Sequence, residues 1–316
     1  MDERQARRAD LALVELAQWL RHQGYRFTTP TPLTHARVNQ RPENREARDL
    51  AGVFGWSRPF VAEQLPTVML ALMEQAGILA PHGDRWRSRL RLSSLGDLLF
   101  WHSAYPTDDV DAVFFGPDSY RFAQAIEHDA PPVAPARVAD IGCGAGVGAI
   151  LAARRWPQAE VLALDINPAA LRLTRVNAQL AGVTNLIARH SDLLDDTEGG
   201  FDVLLANPPY LVDPGERAYR HGGGPLGAGL SLRILDQALA RLNPGGRLLL
   251  YTGAAQRDGR DPLLDEVARR LHGSPVRWRY RERDPDVFGE ELLGGAYVDC
   301  ERIAAVVLTL ERPRGD

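Results

Sequence analysis

Apolar positions in the first hundred residues recur at helical spacing and then switch to period two. Across residues 5–20, Leu11, Leu13, Val14, Leu16, Ala17 and Leu20 predict the inner face of a helix, closed near Gly24. Residues 28–44 are rich in proline and threonine and predict a loop. Helical patterning resumes over 46–54 and 59–75 and stops at Gly77. A turn at His82-Gly83-Asp84 separates Ile78-Leu79-Ala80 from an alternating stretch over 85–92. Period two puts Arg85, Arg87, Arg89 and Arg91 on one strand face and Trp86, Leu90 and Leu92 on the other. The arginine face is expected in solvent, with contact to nucleic-acid phosphates as the alternative. Helices followed by a hairpin predict a mainly helical, winged-helix-like unit over residues 1–108. Its linker is expected near 105–111, and residues 109–316 form the second domain.

Beyond residue 109 short apolar runs alternate with helical segments, and several runs end in chemically useful residues. Residues 137–141 read as a strand, followed by a turn with Gly142, Gly144 and Gly146, then a helix over 149–155. Such a turn lets the backbone approach a ligand closely and presents free N–H groups at the helix start. Alone it fits a dinucleotide fold equally well. The run 160–165 ends in Asp165, placed to accept both hydroxyls of a ribose. The run 186–193 carries Asp192, suited to an adenine amino group. A fourth run, 201–206, leads into Asn207-Pro208-Pro209-Tyr210. That tetrapeptide suits a planar NH2: Asn207 and the Pro208 carbonyl accept its hydrogens and Tyr210 packs on its face. Read without its surroundings, it is a turn after a strand.

Taken in order, these strand ends resemble those of the class I S-adenosylmethionine-dependent methyltransferases. The likeness is to the amino-methylating branch that carries (Asn/Asp/Ser)-Pro-Pro-(Tyr/Phe/Trp), and it covers roughly residues 110–310. It implies an α/β domain with a Rossmann-like seven-stranded sheet, closed by an antiparallel pair over 276–281 and 303–310. It also implies S-adenosylmethionine as cofactor. Asp140 would face the methionine ammonium, and Gly142, Gly144 and Gly146 would border methionine and ribose. Asp165 and Ile166 would hold the ribose, Asp192 and Leu193 the adenine, and Asn207, Pro208, Pro209 and Tyr210 the acceptor nitrogen, with Asn207 also touching the cofactor. The segments 222–233 and 242–250 are similar to those of the release-factor glutamine methyltransferases. Those enzymes usually carry Arg-Pro-Glu-Thr before the first strand, where this chain has Phe114-Phe115-Gly116-Pro117-Asp118-Ser119-Tyr120-Arg121-Phe122. The implied acceptor is a protein glutamine in a translation or ribosomal factor, with adenine or guanine of RNA or DNA as the alternative. No metal, covalent intermediate or catalytic cysteine is expected.

Composition narrows this little. A chain of 316 residues, 45% hydrophobic, is long enough for two domains. All 37 basic residues are arginine, which a coding bias explains without any arginine-specific function. The net charge of −4 supplies no overall attraction to nucleic acid. Cys143 and Cys300 alone cannot build a structural zinc site. With no signal peptide and no apolar run of membrane length, the expected location is a reducing cytoplasm, away from membranes. Residues 211–230 are expected to cover the acceptor, with 284–295 as a second cover, and His221 is expected to be exposed.

Overall fold

The computed structural model describes residues 2–131, 134–217 and 219–314. Helix α1 (Glu3–His22) starts where Asp2 accepts the Gln5 N–H at 2.7 Å and the Gln5 side chain returns to the Asp2 N–H. Its stripe of Leu13, Leu16 and Leu20 is fully buried, but Leu11 falls outside that stripe and is 47% exposed. The predicted loop over 28–44 contains a helix, α2 (Pro32–Asn39). Thr31 caps it and Pro32 occupies its first position, so the same residues that mark a loop in composition start a helix by position. Helices α3 (Leu50–Phe54) and α4 (Thr67–Gln75) are shorter than their patterning, α3 because Asp49 caps it at the Gly52 N–H and α4 because Pro59 and Pro66 hold the chain before it out of helix.

The predicted single strand over 85–92 is two strands. β1 (Leu79–His82) pairs with β2 (Arg85–Ser88), the chain breaks at Arg89, and β3 (Leu90–Leu95) pairs with β4 (Leu98–Ser103). The change of partner destroys the common face. Arg91 turns inward and is buried, Arg87 is half-buried, and Trp86 is exposed. The expected solvated arginine face is therefore not formed.

The second half begins with α5 (Pro117–Asp129) and β5 (Arg137–Ile141), followed by α6 (Val147–Arg155), β6 (Glu160–Asp165), α7 (Pro168–Ala181) and β7 (Leu186–His190). Then come β8 (Phe201–Ala206), α8 (Gly229–Arg241), β9 (Leu242–Gln256), α9 (Pro262–Leu271), β10 (Arg277–Asp284) and β11 (Arg302–Glu311). Seven strands form one sheet in the order β10-β11-β9-β8-β5-β6-β7. β5 to β9 pair in parallel, and β11 enters antiparallel between β9 and β10. Covered on both faces, the central strands are apolar throughout, as in β8 with Val203, Leu204, Leu205 and Ala206 all buried. On one face Ala139, Ile141 and Leu164 pack against Ile234 of α8 and Val267 of α9. On the other, Val138 and Ala163 meet Ile126 of α5 and Ala149 of α6.

The N-terminal elements share a core with this sheet's helices: α1 packs on α7, bringing Leu13 and Leu16 into one cluster with Leu173 and Val176. Asn177 of α7 is buried at the join. Its Oδ1 accepts the Trp101 N–H at 2.8 Å, and its Nδ2 donates to Trp101 O at 3.0 Å and Ala145 O at 2.9 Å. One amide thereby ties β4 to the glycine turn that follows β5, with every polar atom satisfied.

Candidate active site

The sheet order reverses between β5 and β8, and the crevice beyond the carboxyl ends of such strands is where α/β sheets bind ligands. Two adjoining cavities open there.

The first, about 150 Å³, is bordered by Gly142, Gly144, Asp165, Ile166, Asp192 and Asn207, with Asp140 and Leu193 also at its wall. Asp140 is 1% exposed, and its Oδ2 accepts the Ala149 N–H of the first turn of α6 at 2.8 Å. Burial pushes its pKa up to about 7, and the Asp165 carboxylate adds to the rise. Asp165 accepts the Gly144 N–H at 2.9 Å and the Asn167 N–H at 2.8 Å. Burial raises its pKa too, against the pull of those N–H groups. A buried and a half-buried carboxylate without an ion-pair partner among the described residues suit a ligand that brings a cation and hydroxyls. A methionine ammonium beside Asp140 and a ribose on Asp165 meet both needs, so these residues fit S-adenosylmethionine. Gly148 makes room for this arrangement, since a Cβ there would lie 2.7 Å from Asp140 Oδ1.

Gly146 does not border the cavity. It is the left-handed N-cap of α6 (φ +85°), and a Cβ on it would sit 2.9 Å from Thr174 Cγ2. Its glycine serves the turn and the packing of α6 on α7. β7 ends at His190, so Asp192 and Leu193 lie in the following loop. Leu193 is itself left-handed (φ +52°), and Asp192 meets Arg233 at 3.1 Å. Cys143 is buried 3.5 Å from Thr174 Oγ1, a packing position.

The second cavity, about 270 Å³, lies against Asn207, Pro208, Pro209 and Tyr210. Its far wall comes from the N-terminal elements through Thr29, His35, Arg91 and Tyr105. Phe114, Asn207, Pro209 and Tyr219 border both cavities. Tyr210 is buried, with its ring edge-on to Phe288 at 5.9 Å and so close to Gly253 that a Cβ there would fall 2.1 Å from Cδ2. Its hydroxyl donates to Asp118 Oδ2 at 2.6 Å, while Tyr251 donates to Oδ1 at 2.7 Å. Burial raises the pKa of Asp118, and the two hydroxyls and Arg121 oppose that rise.

Both expected covering segments reach this cavity. Arg217 and Arg220 from the first line it and are held by Asp213, with Arg217 forked at 2.6 and 2.9 Å. Phe288 comes from the second. His221 is half-buried and its Nδ1 accepts the Asp213 N–H at 3.1 Å, so it braces the segment where exposure was expected. Asp118 and Tyr251 were not legible as site residues. Gly116-Pro117-Asp118 reads as a helix start, with proline at the first position and an acid in the first turn.

Residues 122–271 match the family described as "MTS: Methyltransferase small domain". A release factor glutamine methyltransferase of Deinococcus radiodurans is 33% identical over 180 residues, covering 53% of this chain and 63% of that protein. A ribosomal RNA small subunit methyltransferase C of Chromohalobacter salexigens is 37% identical over 119 residues, 37% of this chain and 32% of its own length. The chain thus spans less than two thirds of either relative. The crystal structure of Methanocaldococcus jannaschii Trm5 in complex with adenosine superposes with a TM-score of 0.50 at 16% identity, over 72% of this chain and 57% of that one, a likeness of fold. Among the described residues no helix is long and apolar enough to cross a membrane. Over residues 122–271, a little under half of its length, the chain is thus similar to the methyltransferase small domain family, and the relatives that share this region are methyltransferases.

Proposed function

We propose that this protein transfers the methyl group of S-adenosylmethionine to the planar NH2 of a glutamine side chain in a protein substrate, a translation or ribosomal factor. The observation that carries this reading is that Asn207 and Pro209 border both cavities, so the tetrapeptide stands between donor and acceptor. When bound, the cofactor supplies an electrophilic methyl on a sulfonium that leaves readily. An amide nitrogen is a poor nucleophile because its lone pair is delocalised. Acceptance of its two hydrogens by Asn207 Oδ1 and the Pro208 carbonyl draws that lone pair back and aims it across the boundary. As the N–C bond forms the methyl–sulfur bond breaks, the neutral thioether leaves, and the acidified nitrogen sheds one proton to solvent. Alignment contributes much of the rate, and no strong base is needed before attack. Tyr210, tied to Asp118 and seated on Gly253, holds the acceptor plane. Residues 1–108, which supply the far wall, select the acceptor.

The similarity to a ribosomal RNA methyltransferase favours a second reading, methylation of an adenine or guanine amino group in RNA or DNA. Against it, Arg91 points inward and Arg85 pairs with Glu46 at 2.9 Å, leaving little of a basic wing. Methyl-labelled S-adenosylmethionine, given with the protein to extract from cells lacking it, separates the two. Label released only by protease supports glutamine. Label released only by nuclease supports the base, and label that is small before any digestion removes both.

A further inference from the structure

The acceptor cavity contains a cation with nothing to neutralise it. Arg91 is 6% exposed and lines the cavity, and its Nε donates to Ser103 O at 3.0 Å. Among the described residues no carboxylate comes within ion-pair distance of it, and neither Nη group donates to the protein. The other guanidiniums at this wall differ: Arg217 is forked on Asp213, and Arg220 meets Asp213 and Glu291. Burial holds the Arg91 pKa down to about 10, against the weaker pull of the Tyr25, Tyr120 and Tyr105 hydroxyls. Beside it His35 is fully buried, stacked on Tyr105 at 4.1 Å. Because the Trp56 carbonyl can only accept, His35 Nε2 (2.8 Å away) must donate. The neutral ring then leaves Nδ1 an acceptor, and that atom has no partner. A buried, unpaired guanidinium is expensive to maintain unless a ligand completes it.

We propose that Arg91 binds a carboxylate of the methyl acceptor, through the two Nη groups that Ser103 leaves free, inside the cavity that Asn207 borders. A carboxylate matches the guanidinium fork and carries one charge for one cation. A phosphate diester backbone is normally met by several cations, whereas residues 1–108 carry 14 arginines against 12 acids and only Arg91 is unpaired at this wall among the described residues. The proposal rests on the reading of this cavity as the acceptor's, and it makes an acidic side chain or chain terminus near the methylated amide part of what is recognised.

The test follows thermal unfolding of the full chain saturated with S-adenosylmethionine, at constant ionic strength balanced with chloride. Acetate and phosphate are titrated separately. Acetate should raise the midpoint of the wild type saturably, by about 4 °C at a hundredfold excess over its Kd. Phosphate should do much less. Arg91→Gln, whose amide can still donate to Ser103 O, and Arg91→Met should show no acetate response. A flat wild type, an equal response in the variants, or phosphate acting better than acetate overturns the proposal, the last in favour of nucleic acid. If neither variant folds, the contrast of acetate with phosphate in the wild type decides. An Arg91-dependent acetate shift in a protein that methylates no glutamine would keep the anion site and dispose of the proposed acceptor.

Discussion

The hydroxyl of Tyr210 donates to Asp118 Oδ2 across 2.6 Å, joining the residue beyond β8 to the first turn of α5, 92 positions earlier. With Tyr251 on the other oxygen, one buried carboxylate orients the ring at the wall of the second cavity. Charge-assisted bonds of this kind are short, strong and directional. On the proposed function Asp118 is a positioning residue, acting through Tyr210.

Replacing Asp118 with alanine strands two buried hydroxyls and should destabilise the fold by about 2–5 kcal/mol. Asp118→Asn should cost less, because its amide oxygen still accepts. In that variant kcat should fall while the Kd for S-adenosylmethionine stays within about threefold, since Asp118 does not border the cofactor cavity. Urea unfolding and isothermal titration read the two effects separately. A kcat equal to wild type in a variant that has lost the Tyr210 bond would refute the positioning role.

Asn207→Ala should lower kcat by about a hundredfold or more, the scale of removing one aligned polar contact to the reacting group. Cofactor affinity should remain nearly intact, because Asp140 and Asp165 carry most of it. Single-turnover transfer beside equilibrium binding checks this. Equal loss of both would mean that the tetrapeptide serves the cofactor more than the acceptor.

Asp165→Ala should act in reverse, weakening cofactor binding at least tenfold before any effect on the transfer step at saturation. Some destabilisation, about 1–3 kcal/mol, should accompany it, because the Gly144 and Asn167 N–H groups lose their acceptor.

The pKa of Asp140, near 7 in the folded protein, lies well above the ordinary aspartate value near 3.9. The folded, ligand-free protein thus binds this proton more tightly than the unfolded chain. Its stability contribution is full at acid pH and declines as pH rises from about 4 to about 7. Cofactor affinity should run the other way, since an ammonium needs the ionised form. Binding should be about tenfold weaker at pH 6 than on its plateau above about pH 8, with proton release on binding at pH 6. Asp140→Asn should bind weakly and lose that pH dependence, and calorimetry in two buffers measures it. An unchanged pH profile in this variant would assign the titration elsewhere.

Gly253→Ala should lower kcat strongly through Tyr210, because a Cβ 2.1 Å from its ring must push the ring or β9 aside. A crystal structure of this variant with an undisplaced Tyr210 and full activity would contradict it.

Much of this was legible in the chain because the central strands are local objects. Phe201–Ala206 and Glu160–Asp165 are apolar runs bounded by turn chemistry, and in a sheet covered on both faces each must be a strand wherever it sits. Their terminal residues then fall at the carboxyl edge by construction, which is why Asp165 and Asn207 could be placed at the crevice. The N-terminal half was harder. Thr31-Pro32 is loop-like in composition and helix-starting in position, and only capping geometry separates the two. The alternation over 85–92 hid a change of strand partner at Arg89, which period two cannot register.

The linear chain determined the sheet, the glycine turn, the acidic strand ends and the tetrapeptide, because each depends on neighbours a few residues apart. Only the tertiary structure decided that Gly146 packs on α7, that Asp118 holds Tyr210, and that Arg91 stands unpaired among the described residues at the wall of the second cavity. Those facts are pairings across tens of residues, set by how strands change partners and helices cross. Burial there, more than residue type, turns an ordinary carboxylate or guanidinium into a poised one.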